Sequence, residues 1–437
     1  MEKVECIVVG GGLAGLSAAY GLAAEGVEVM VLERGNYAGA KNVTGGRLYT
    51  SVLRDIYPEL WEEAPFERAI VREAVTLMGD GAATTVEVAS DRFAAPSPQS
   101  HTVLRARFDQ WLADKVGEKG GMVVGDMKAD ELLVEGGADG RPGRVIGVRA
   151  GGDEVGADVT IIAEGVLGLL ASAAGLREAP AAADHALGYK EVIELPAATI
   201  EDRFHLNEGE GLAQLFMGDV TRGMTGGGFL YTNKESISLG VVVAMEHMRS
   251  RGDELESWQL LDEFKEKAQI KPLVAGGEVA EYSAHAVAEG GFDKLPRLFG
   301  DGYLLAGEAA GLSLNALVTV RGMDFAIASG YHAARAALAA RAAKDYSAAT
   351  LSAYDRALRE SWVIGDLETA RNVPGFIENE RLFGVYPAAV SRLAESFFTV
   401  GPGPSSRMVK TGWRGARREF LNTATLKDLV HEEDLGW

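Results

Sequence analysis

The chain has 437 residues, of which 63 are acidic and 43 are basic, so its formal net charge is −20. This length predicts two domains rather than one. The 47% apolar and 24% charged residues exclude a disordered chain and a multi-span membrane protein. Because nucleic-acid-binding domains are basic, the acidic excess also excludes nucleic acid as a partner.

Cys6 is the single cysteine of the sequence, which excludes an intrachain disulfide and an iron–sulfur cluster held by four cysteines of this chain. The seven histidines show no spacing typical of a metal site, so we predict no metal. Only Met1–Val4 precede the first predicted strand, which is too short for a signal peptide. Uncharged stretches such as Ala309–Val320 are shorter than the ~20 residues of a transmembrane helix. We therefore expect a cytoplasmic protein.

The N-terminal segment has the pattern of a dinucleotide-binding β-α-β unit. The predicted strand, helix and second strand lie at Glu5–Val9, Leu16–Glu25 and Val27–Leu32. Gly10, Gly12 and Gly15 form a G-x-G-x-x-G turn before the helix, and Glu33 follows the second strand. These glycines allow a tight turn, close approach of a pyrophosphate and close helix packing, while the acid binds a ribose. The segment therefore predicts a dinucleotide site.

Later segments indicate which dinucleotide is bound. No second G-x-G-x-x-G and no C-x-x-x-x-C pair follow, which excludes a separate NAD domain and the disulfide reductases. Gly302–Gly311 predicts a strand ending at Gly307 and Glu308, and Arg321-Gly322-Met323 begins an alanine-rich helix that reaches about Arg341. This arrangement resembles the second FAD fingerprint of glutathione-reductase-type flavoproteins. There the acid, usually Asp, holds the ribityl chain.

Two further segments resemble other FAD-contacting parts of the same superfamily. Leu104–Val116 resembles its arginine-bearing helix, which makes Arg107 the expected contact. Asp158–Gly165 resembles the strand end near the adenine and pyrophosphate, with Ala163 and Gly165 as the matching residues. Four such motifs in the expected order predict FAD as the cofactor.

Three segments resemble one branch of these flavoproteins, the FixC-type electron-transfer flavoprotein–quinone oxidoreductases. They are Lys41–Tyr49 (K-N-V-T-G-G-R-L-Y), Gly227–Val243 and Ala309–Gly330. The resemblance extends from Glu5 to at least Phe398. The cofactor-binding residues that the motifs imply are Gly10, Gly12, Gly15, Glu33, Arg34, Lys41, Asn42, Gly45, Arg107, Ala163, Gly165, Gly307, Glu308, Arg321, Gly322 and Met323.

The resemblance implies an α/β fold in which a Rossmann-like FAD-binding domain covers residues 1–185 and 296–345. A mixed β-sheet domain for the substrate, quinone, is inserted at 186–295, and a helical C-terminal region follows at 346–437. Tyr231 and Lys234 lie on the predicted inserted sheet, where they either face the flavin or mark a solvent face. A helix at Glu254–Gln269 is expected to cross that sheet.

The function implied by the resemblance is an electron relay. A two-subunit electron-transfer flavoprotein delivers electrons, FAD collects them and quinone accepts them. Larger relatives carry a four-cysteine cluster domain that this sequence lacks, so a small ferredoxin-like iron–sulfur subunit is implied. Such a FixABCX-like complex can bifurcate electrons from NADH between quinone and ferredoxin. Because the flavin carries the redox chemistry, we name no catalytic acid or base.

Other functions and a membrane contact remain open from the sequence. A geranylgeranyl-type prenyl reductase shares these motifs, although its F-P-K sheet motif is replaced here by F-L-Y-T-N-K. A hydroxylase and an FAD-binding scaffold are further alternatives. The aromatic Gly375–Val400 and the basic Pro404–Phe420 are compatible with peripheral contact on the inner face of the cytoplasmic membrane, with packing on the FAD domain, or with docking of the ferredoxin-like partner.

Overall fold

The computed structural model describes residues 2–42, 45–137, 143–251, 256–402 and 408–420. The strands in these segments are β1 (Glu2–Val9), β2 (Val29–Leu32), β3 (Gly46–Tyr49), β4 (Ala69–Gly79), β5 (Ala82–Ala89), β6 (Ser100–Val103), β7 (Met122–Val124), β8 (Ala129–Glu135), β9 (Arg144–Ala150), β10 (Asp153–Ile162), β11 (His185–Glu194), β12 (Glu210–Gly218), β13 (Gly226–Thr232), β14 (Ser236–Ala244), β15 (Glu278–Ala288), β16 (Phe299–Gly300), β17 (Tyr303–Leu305), β18 (Leu314–Asn315) and β19 (Val320–Arg321).

The α-helices of the same segments are α1 (Leu13–Ala24), α2 (Ser51–Ile56), α3 (Pro58–Trp61), α4 (Arg105–Glu118), α5 (Leu169–Ala173), α6 (Ala197–Phe204), α7 (Met245–Ser250), α8 (Gln259–Glu266), α9 (Lys271–Val274), α10 (Met323–Ala343), α11 (Ala348–Leu351), α12 (Ala353–Glu360), α13 (Trp362–Thr369), α14 (Val373–Ile377), α15 (Arg381–Gly384), α16 (Tyr386–Phe398) and α17 (Met408–Phe420).

The chain divides into two compact units. Unit 1 comprises Met1–Ala69, Pro98–His185 and His285–Arg371, and unit 2 comprises Ile70–Ser97, Ala186–Ala284 and Asn372–Trp437. These units differ from the predicted domains chiefly because 70–97 belongs to unit 2 and 346–371 belongs to unit 1. The assignment of the predicted domains to FAD binding, quinone binding and partner contact stays a prediction.

Unit 1 is built on a twisted sheet with the strand order β16-β17-β10-β1-β2-β7, and β9 and β8 extend it from β10. β1 runs parallel to β10 and β2, and β10 runs parallel to β17. Both faces of such a sheet are covered, which is why Cys6–Val9 are buried without alternation. Each buried Ile or Val here stabilises the fold by roughly 1.5–3 kcal/mol relative to exposure.

Helices α1 and α10 pack closely in unit 1. A Cβ atom on Gly330 would lie only 2.1 Å from the carbonyl oxygen of Ala14, so glycine is required at this crossing. The Ser17 hydroxyl donates to the carbonyl of Ile327 at 2.8 Å and links the same two helices. The start of α1 is thereby held beside α10.

Unit 2 contains a sheet with the strand order β15-β11-β14-β13-β12-β4, in which β11, β14, β13 and β12 pair antiparallel in that order and β5 pairs antiparallel with β4. Helix α8 buries Leu260, Leu261 and Phe264, and the Phe264 ring packs edge-to-face on Phe216 at 4.9 Å. Gly228 leaves room for this ring, because a Cβ there would lie 2.9 Å from Phe264 Cζ. Strands β12, β13 and β14 lie within residues 186–295, where the sequence predicts a β-sheet.

The predicted helix at Glu254–Gln269 is shorter than expected, since α8 covers only Gln259–Glu266. Its first two residues lie outside the described part of the chain. Glu256 and Ser257 accept backbone bonds from Gln259 and Leu260 in a turn that precedes the helix. An extended Lys267 ends it.

The C-terminal helices α16 and α17 pack as a pair in unit 2. Gly412 and Gly415 of α17 face α16, and a Cβ on Gly415 would lie 2.5 Å from Leu393 Cδ1. Helix α16 is tied to β4, because the Ser391 hydroxyl donates to the Leu77 carbonyl at 3.0 Å. In the described residues, no helix is both long and apolar enough to span a membrane.

The predicted α/β class is thus confirmed, with a Rossmann-like unit, a second sheet and C-terminal helices. Strand β1, helix α1 and strand β2 follow the predicted β-α-β order. Helix α10 begins at Met323, next to the predicted Arg321-Gly322 start. Arg407, part of the predicted basic cluster, lies outside the described residues.

Candidate functional site

The glycine turn after β1 forms one end of the candidate site. Gly10 has φ +105°, and a Cβ there would lie 2.4 Å from the carbonyl oxygen of Ala163. A Cβ on Gly15 would lie 2.0 Å from the Gly10 carbonyl oxygen. At Gly12, by contrast, a Cβ would meet Arg105 Nη2 at 3.9 Å, an ordinary contact distance. Packing therefore requires Gly10 and Gly15, whereas Gly12 keeps space open at the N-terminus of α1.

Glu33, at the end of β2, is fixed by the same turn. Its side chain is buried, and its two carboxylate oxygens accept the N–H groups of Gly11 at 2.8 Å and Gly35 at 2.6 Å. Hydrogen bonds to a charged group contribute about 1.5–3 kcal/mol each. The carboxylate is thus held at the turn, where it has lone pairs left for a ribose. The neighbouring Arg34 is exposed.

Arg105, and not Arg107, is the arginine of α4 that reaches the glycine turn. Arg105 pairs with Asp109 through two bonds of 2.7 Å. The Arg107 side chain is 76% exposed and lies 4.0 Å from Glu67. Residues two apart on a helix differ by roughly 200° in direction, so only one of the two can face the site.

The K-N-x-x-G-G-R-L-Y segment joins this network. The Asn42 amide donates to Asp109, the partner of Arg105, through a short bond. Lys41 is exposed, and Gly45 is buried with φ +77°. The two residues between Asn42 and Gly45 lie outside the described part of the chain. Asp109 therefore links this segment to Arg105 beside the glycine turn.

The end of the same segment meets the start of α10. A Cβ on Gly46 would lie 3.1 Å from Met323 Cε. The Arg321 guanidinium lies over the rings of Tyr49, Phe325 and Trp362 at 5.4, 4.9 and 4.6 Å. Two motifs that are distant in sequence are thus in contact.

Arg321 also forms ion pairs that fix the helix start. Its guanidinium lies 2.6 Å from Asp324 and 2.5 Å from Asp366. Burial raises the pKa of Asp324, although Arg321 and the N–H groups of Asp324 and Phe325 oppose this shift. Arg321 is therefore placed to position the N-terminus of α10, with Gly322 as its N-cap.

The far wall of the site follows β17. Gly307 has φ +64°, its N–H donates to Ser329 Oγ at 2.9 Å, and a Cβ there would lie 2.8 Å from Ala14 Cβ. Glu308 comes next, and its Oε2 lies 4.0 Å from His285 Nε2. Burial raises the pKa of Glu308 to about 7, and Arg105 opposes the shift.

The residues that follow β10 form a smaller part of the rim of the candidate site. Gly165 has φ +84°, and the Glu164 carboxylate accepts the N–H groups of Leu170 and Ala171 at 2.8 Å each. The Ala163 N–H donates to the Val9 carbonyl at 2.8 Å. This rim is therefore joined to β1 beside the glycine turn.

Most of the predicted residues fall into two connected groups. Gly10, Gly12, Gly15, Glu33, Ala163, Gly165, Gly307 and Glu308 surround the start of α1, and Asn42, Gly45, Arg321, Gly322 and Met323 lie around Asp109 and the start of α10. The side chains of Arg34, Lys41 and Arg107 are exposed, and their contact with FAD stays a prediction.

Sequence reasoning missed four residues of the site: Arg105, Asp109, His285 and Glu289. For Arg105 a signal was present, because the helix contains R-A-R and Arg105 stands two residues before the predicted contact Arg107. His285 and Glu289 belong to no motif and reach the wall only through the fold.

The arrangement fits FAD chemically. An open Gly12 at a helix N-terminus beside the Arg105 cation suits a diphosphate, and Glu33 suits a ribose. Glu308 lies at the carboxyl end of a parallel strand, the edge at which such sheets bind dinucleotides.

Comparison with known proteins identifies the family of the chain. Residues 5–88 match the FAD dependent oxidoreductase (DAO) family model. The chain is 42% identical to Protein FixC of Escherichia coli (strain K12), covering 96% of both chains. It is 41% identical to the probable electron transfer flavoprotein-quinone oxidoreductase YdiS of the same strain, covering 94% of both.

Solved structures share the fold. A geranylgeranyl bacteriochlorophyll reductase-like protein from Thermoplasma acidophilum superposes with a TM-score of 0.73 at 18% identity over the whole of both chains. The myxobacterial FAD-dependent halogenase CndH gives a TM-score of 0.62 at 21% identity, covering 82% of this chain and 80% of the halogenase. The match to the FAD dependent oxidoreductase family model confirms the predicted cofactor, FAD.

Proposed function

The chain belongs to the FixC family of FAD-dependent flavoprotein oxidoreductases, and we propose that it passes electrons from an electron-transfer flavoprotein to quinone. The observation that carries this proposal is the match over nearly the full length to FixC and to a probable electron transfer flavoprotein-quinone oxidoreductase. The contact between Tyr49, which ends the segment Lys41–Tyr49, and Arg321 supports the proposal, because it joins two segments that both resemble FixC-type proteins.

FAD, when bound, supplies the two-electron redox chemistry. In our proposal the chain itself binds and orients the cofactor. Arg105 offsets phosphate charge beside Gly12, Glu33 binds the ribose, and Arg321 holds the start of α10. The residues 186–295 serve as the quinone-side domain.

The proposed partners are the two subunits of the electron-transfer flavoprotein and a small ferredoxin-like iron–sulfur subunit. Cys6 is buried in β1, so a cluster would have to come from another subunit. In a FixABCX-like complex of this composition, electrons from NADH would be bifurcated between quinone and ferredoxin.

We also propose that α17 contacts the surface of the membrane. Apart from Met408 at its first position, the residues described as exposed are Lys410, Trp413, Arg414, Arg417 and Arg418. Spacings of three and four place them on one helix face, while Gly412 and Gly415 pack on α16. Each cation near an anionic membrane contributes about 1 kcal/mol, and the indole suits the interface.

Co-sedimentation with vesicles tests the membrane contact. We expect binding to vesicles that contain phosphatidylglycerol and its loss when Arg414→Glu and Arg417→Glu are combined. The control combines Arg54→Glu and Lys128→Glu, which change the net charge equally at exposed sites of unit 1. Equal loss in both variants would show that only net charge matters and would contradict contact by α17.

Anaerobic stopped-flow measurements test the electron relay. We expect fast reduction of the bound FAD by reduced electron-transfer flavoprotein, little reduction by NADH alone, and reoxidation by a soluble quinone. Fast reduction by NADPH without any response to the flavoprotein would overturn the proposal.

Lipid extraction of the purified protein separates the remaining alternatives. A bound quinone supports the relay, whereas a polyprenyl chain would favour a prenyl reductase. The superposition with the geranylgeranyl reductase-like protein shows the fold only, because the identity is 18%. Rapid reoxidation by air in the presence of a reduced nicotinamide would favour a hydroxylase.

A further inference from the structure

The far wall of the site contains one histidine and two glutamates. Only one of the three, Glu308, belongs to a cofactor motif. We call His285, Glu289 and Glu308 the His–Glu cluster. His285 Nε2 lies 4.0 Å from Glu308 Oε2, and Glu289 Oε2 accepts the Asn315 amide at 2.9 Å. The three side chains come from the end of β15 and from the turn after β17.

The cluster is held in place by the surrounding backbone. The Ser313 hydroxyl donates to the Ala288 carbonyl at 2.9 Å, and the Glu289 N–H donates to the Asp184 carbonyl at 2.9 Å. Strands β18 and β19 pair on either side of the loop after Asn315. The backbone that carries Glu289 is thus tied to its neighbours, and 26% of the Glu308 side chain and 33% of the His285 side chain are exposed.

Few charges on the neighbouring elements compensate the two glutamates. Arg105 of α4 acts on Glu308 but is itself paired with Asp109. Arg177 donates to the Ala309 carbonyl at 2.8 Å. On the side of Glu289, Lys294 pairs with Asp184 at 3.3 Å.

The two carboxyl groups are poised to exchange protons near neutral pH. Burial raises the pKa of Glu289 to about 7, with a further contribution from the charge of Glu308, while the Asn315 hydrogen bond opposes it. Burial likewise raises the pKa of Glu308 to about 7. A carboxyl group with such a pKa responds readily to a new nearby charge.

We propose that the His–Glu cluster takes up one proton from water for every two electrons that reduce the bound FAD, and releases it on reoxidation. The electrons come from the reductant and stay on the cofactor, while one cluster carboxylate becomes a carboxylic acid. The added negative charge on the cofactor drives this uptake, because like charges disfavour ionised carboxylates. The proposal depends on bound FAD alone, so it fails or succeeds independently of the electron donor and acceptor.

The pH dependence of the FAD midpoint potential tests this coupling. One extra proton per two electrons shifts a two-electron potential by about 30 mV per pH unit. We therefore expect the wild-type potential to fall more steeply than that of the Glu289→Gln, Glu308→Gln double variant between pH 6 and 8. The difference should approach about 30 mV per pH unit, and parallel lines would overturn the proposal.

A charge-matched control combines Asp55→Asn and Asp130→Asn, because both carboxylates are exposed and pair with Arg54 and Lys128 on elements outside the cluster. This variant should keep the wild-type slope, and a loss of slope equal to that of the double variant would count against the cluster. His285→Gln, which keeps both carboxyl groups, should shift the pH range of the steep region without removing it.

Direct proton counting decides the question if the double variant does not retain FAD. The wild-type holoprotein is reduced with measured equivalents of dithionite in weak buffer, and an indicator dye reports the protons consumed. More protons than free FAD takes up under the same conditions, by up to one per two electrons, support the proposal. Equal numbers throughout pH 6–8 would overturn it.

Discussion

Glu33 and Glu308 lie on opposite walls of one site, and both are predicted to bind hydroxyl groups of FAD, yet their environments differ. Glu33 accepts two backbone N–H groups from the glycine turn. Glu308 instead faces the His285 ring and the Arg105 charge, and its pKa rises to about 7. Directed N–H donors stabilise an anion, whereas a wall with little compensating charge favours protonation. The first wall therefore supplies hydrogen bonds that hold its side chain, whereas the second wall raises the pKa of Glu308.

The largest expected effect lies in the geometry of the first wall. Gly15→Ala should lower the free energy of unfolding by about 3 kcal/mol or more and abolish FAD binding, because its Cβ would overlap backbone atoms. Gly12→Ala is the matched control, with a change in stability within about 1 kcal/mol but at least tenfold weaker FAD binding. Urea unfolding of the apoprotein measures the stability of each variant, and titration with FAD measures its affinity. Equal losses of stability in Gly15→Ala and Gly12→Ala would contradict the different roles of the two glycines.

Glu33→Gln tests how the first wall holds its carboxylate. The amide can accept only one of the two N–H groups and loses the charge, so we expect a loss of about 2 kcal/mol in stability. FAD affinity should fall at least tenfold. Urea unfolding at pH 8 and FAD titration provide the measurement, and unchanged stability would show that the two bonds are not formed.

Arg105→Ala tests the cation that lies near both walls. We expect FAD binding to weaken by about thirtyfold, or about 2 kcal/mol, because Arg105 is the cation beside Gly12. Arg107→Ala, on the exposed side of the same helix, should change the dissociation constant less than about twofold. Fluorescence titration measures the FAD dissociation constants of both variants. A larger loss of affinity in Arg107→Ala than in Arg105→Ala would show that Arg107 is the contact.

The smallest effect is the pH response of the second wall. The pKa of Glu308 in the folded apoprotein is raised to about 7 from 4.5, so the folded state binds more protons and loses stability as pH rises through 7. Glu308→Gln cannot ionise. It should therefore match the wild type at pH 5 and exceed its stability by on the order of 1–2 kcal/mol at pH 8.

Thermal unfolding of the apoproteins at both pH values measures this difference. Glu33→Gln is the contrasting variant, because it should be less stable than the wild type at pH 8. If Glu308→Gln were also less stable than the wild type at pH 8, the two walls would not differ in the way proposed.

The local parts of the fold were predictable because their signals lie within short segments. Glycine sterics, strand burial and helix periodicity in the first β-α-β unit require only neighbouring residues. The β-sheet predicted within residues 186–295 likewise has local patterns. The helix predicted at Glu254–Gln269 was too long because its apolar spacing continued into a turn before Gln259.

The sequence by itself determined the dinucleotide turn, the FAD motifs and the α/β class, since each follows from local residue spacing. Only the tertiary structure decided that Arg105 rather than Arg107 faces Gly12, because the direction of a side chain depends on where its helix begins. It also decided that Tyr49 meets Arg321 and that His285 and Glu289 join Glu308. Those contacts form when distant segments pack against one another, and the shared burial that raises the two pKa values exists only in the folded chain.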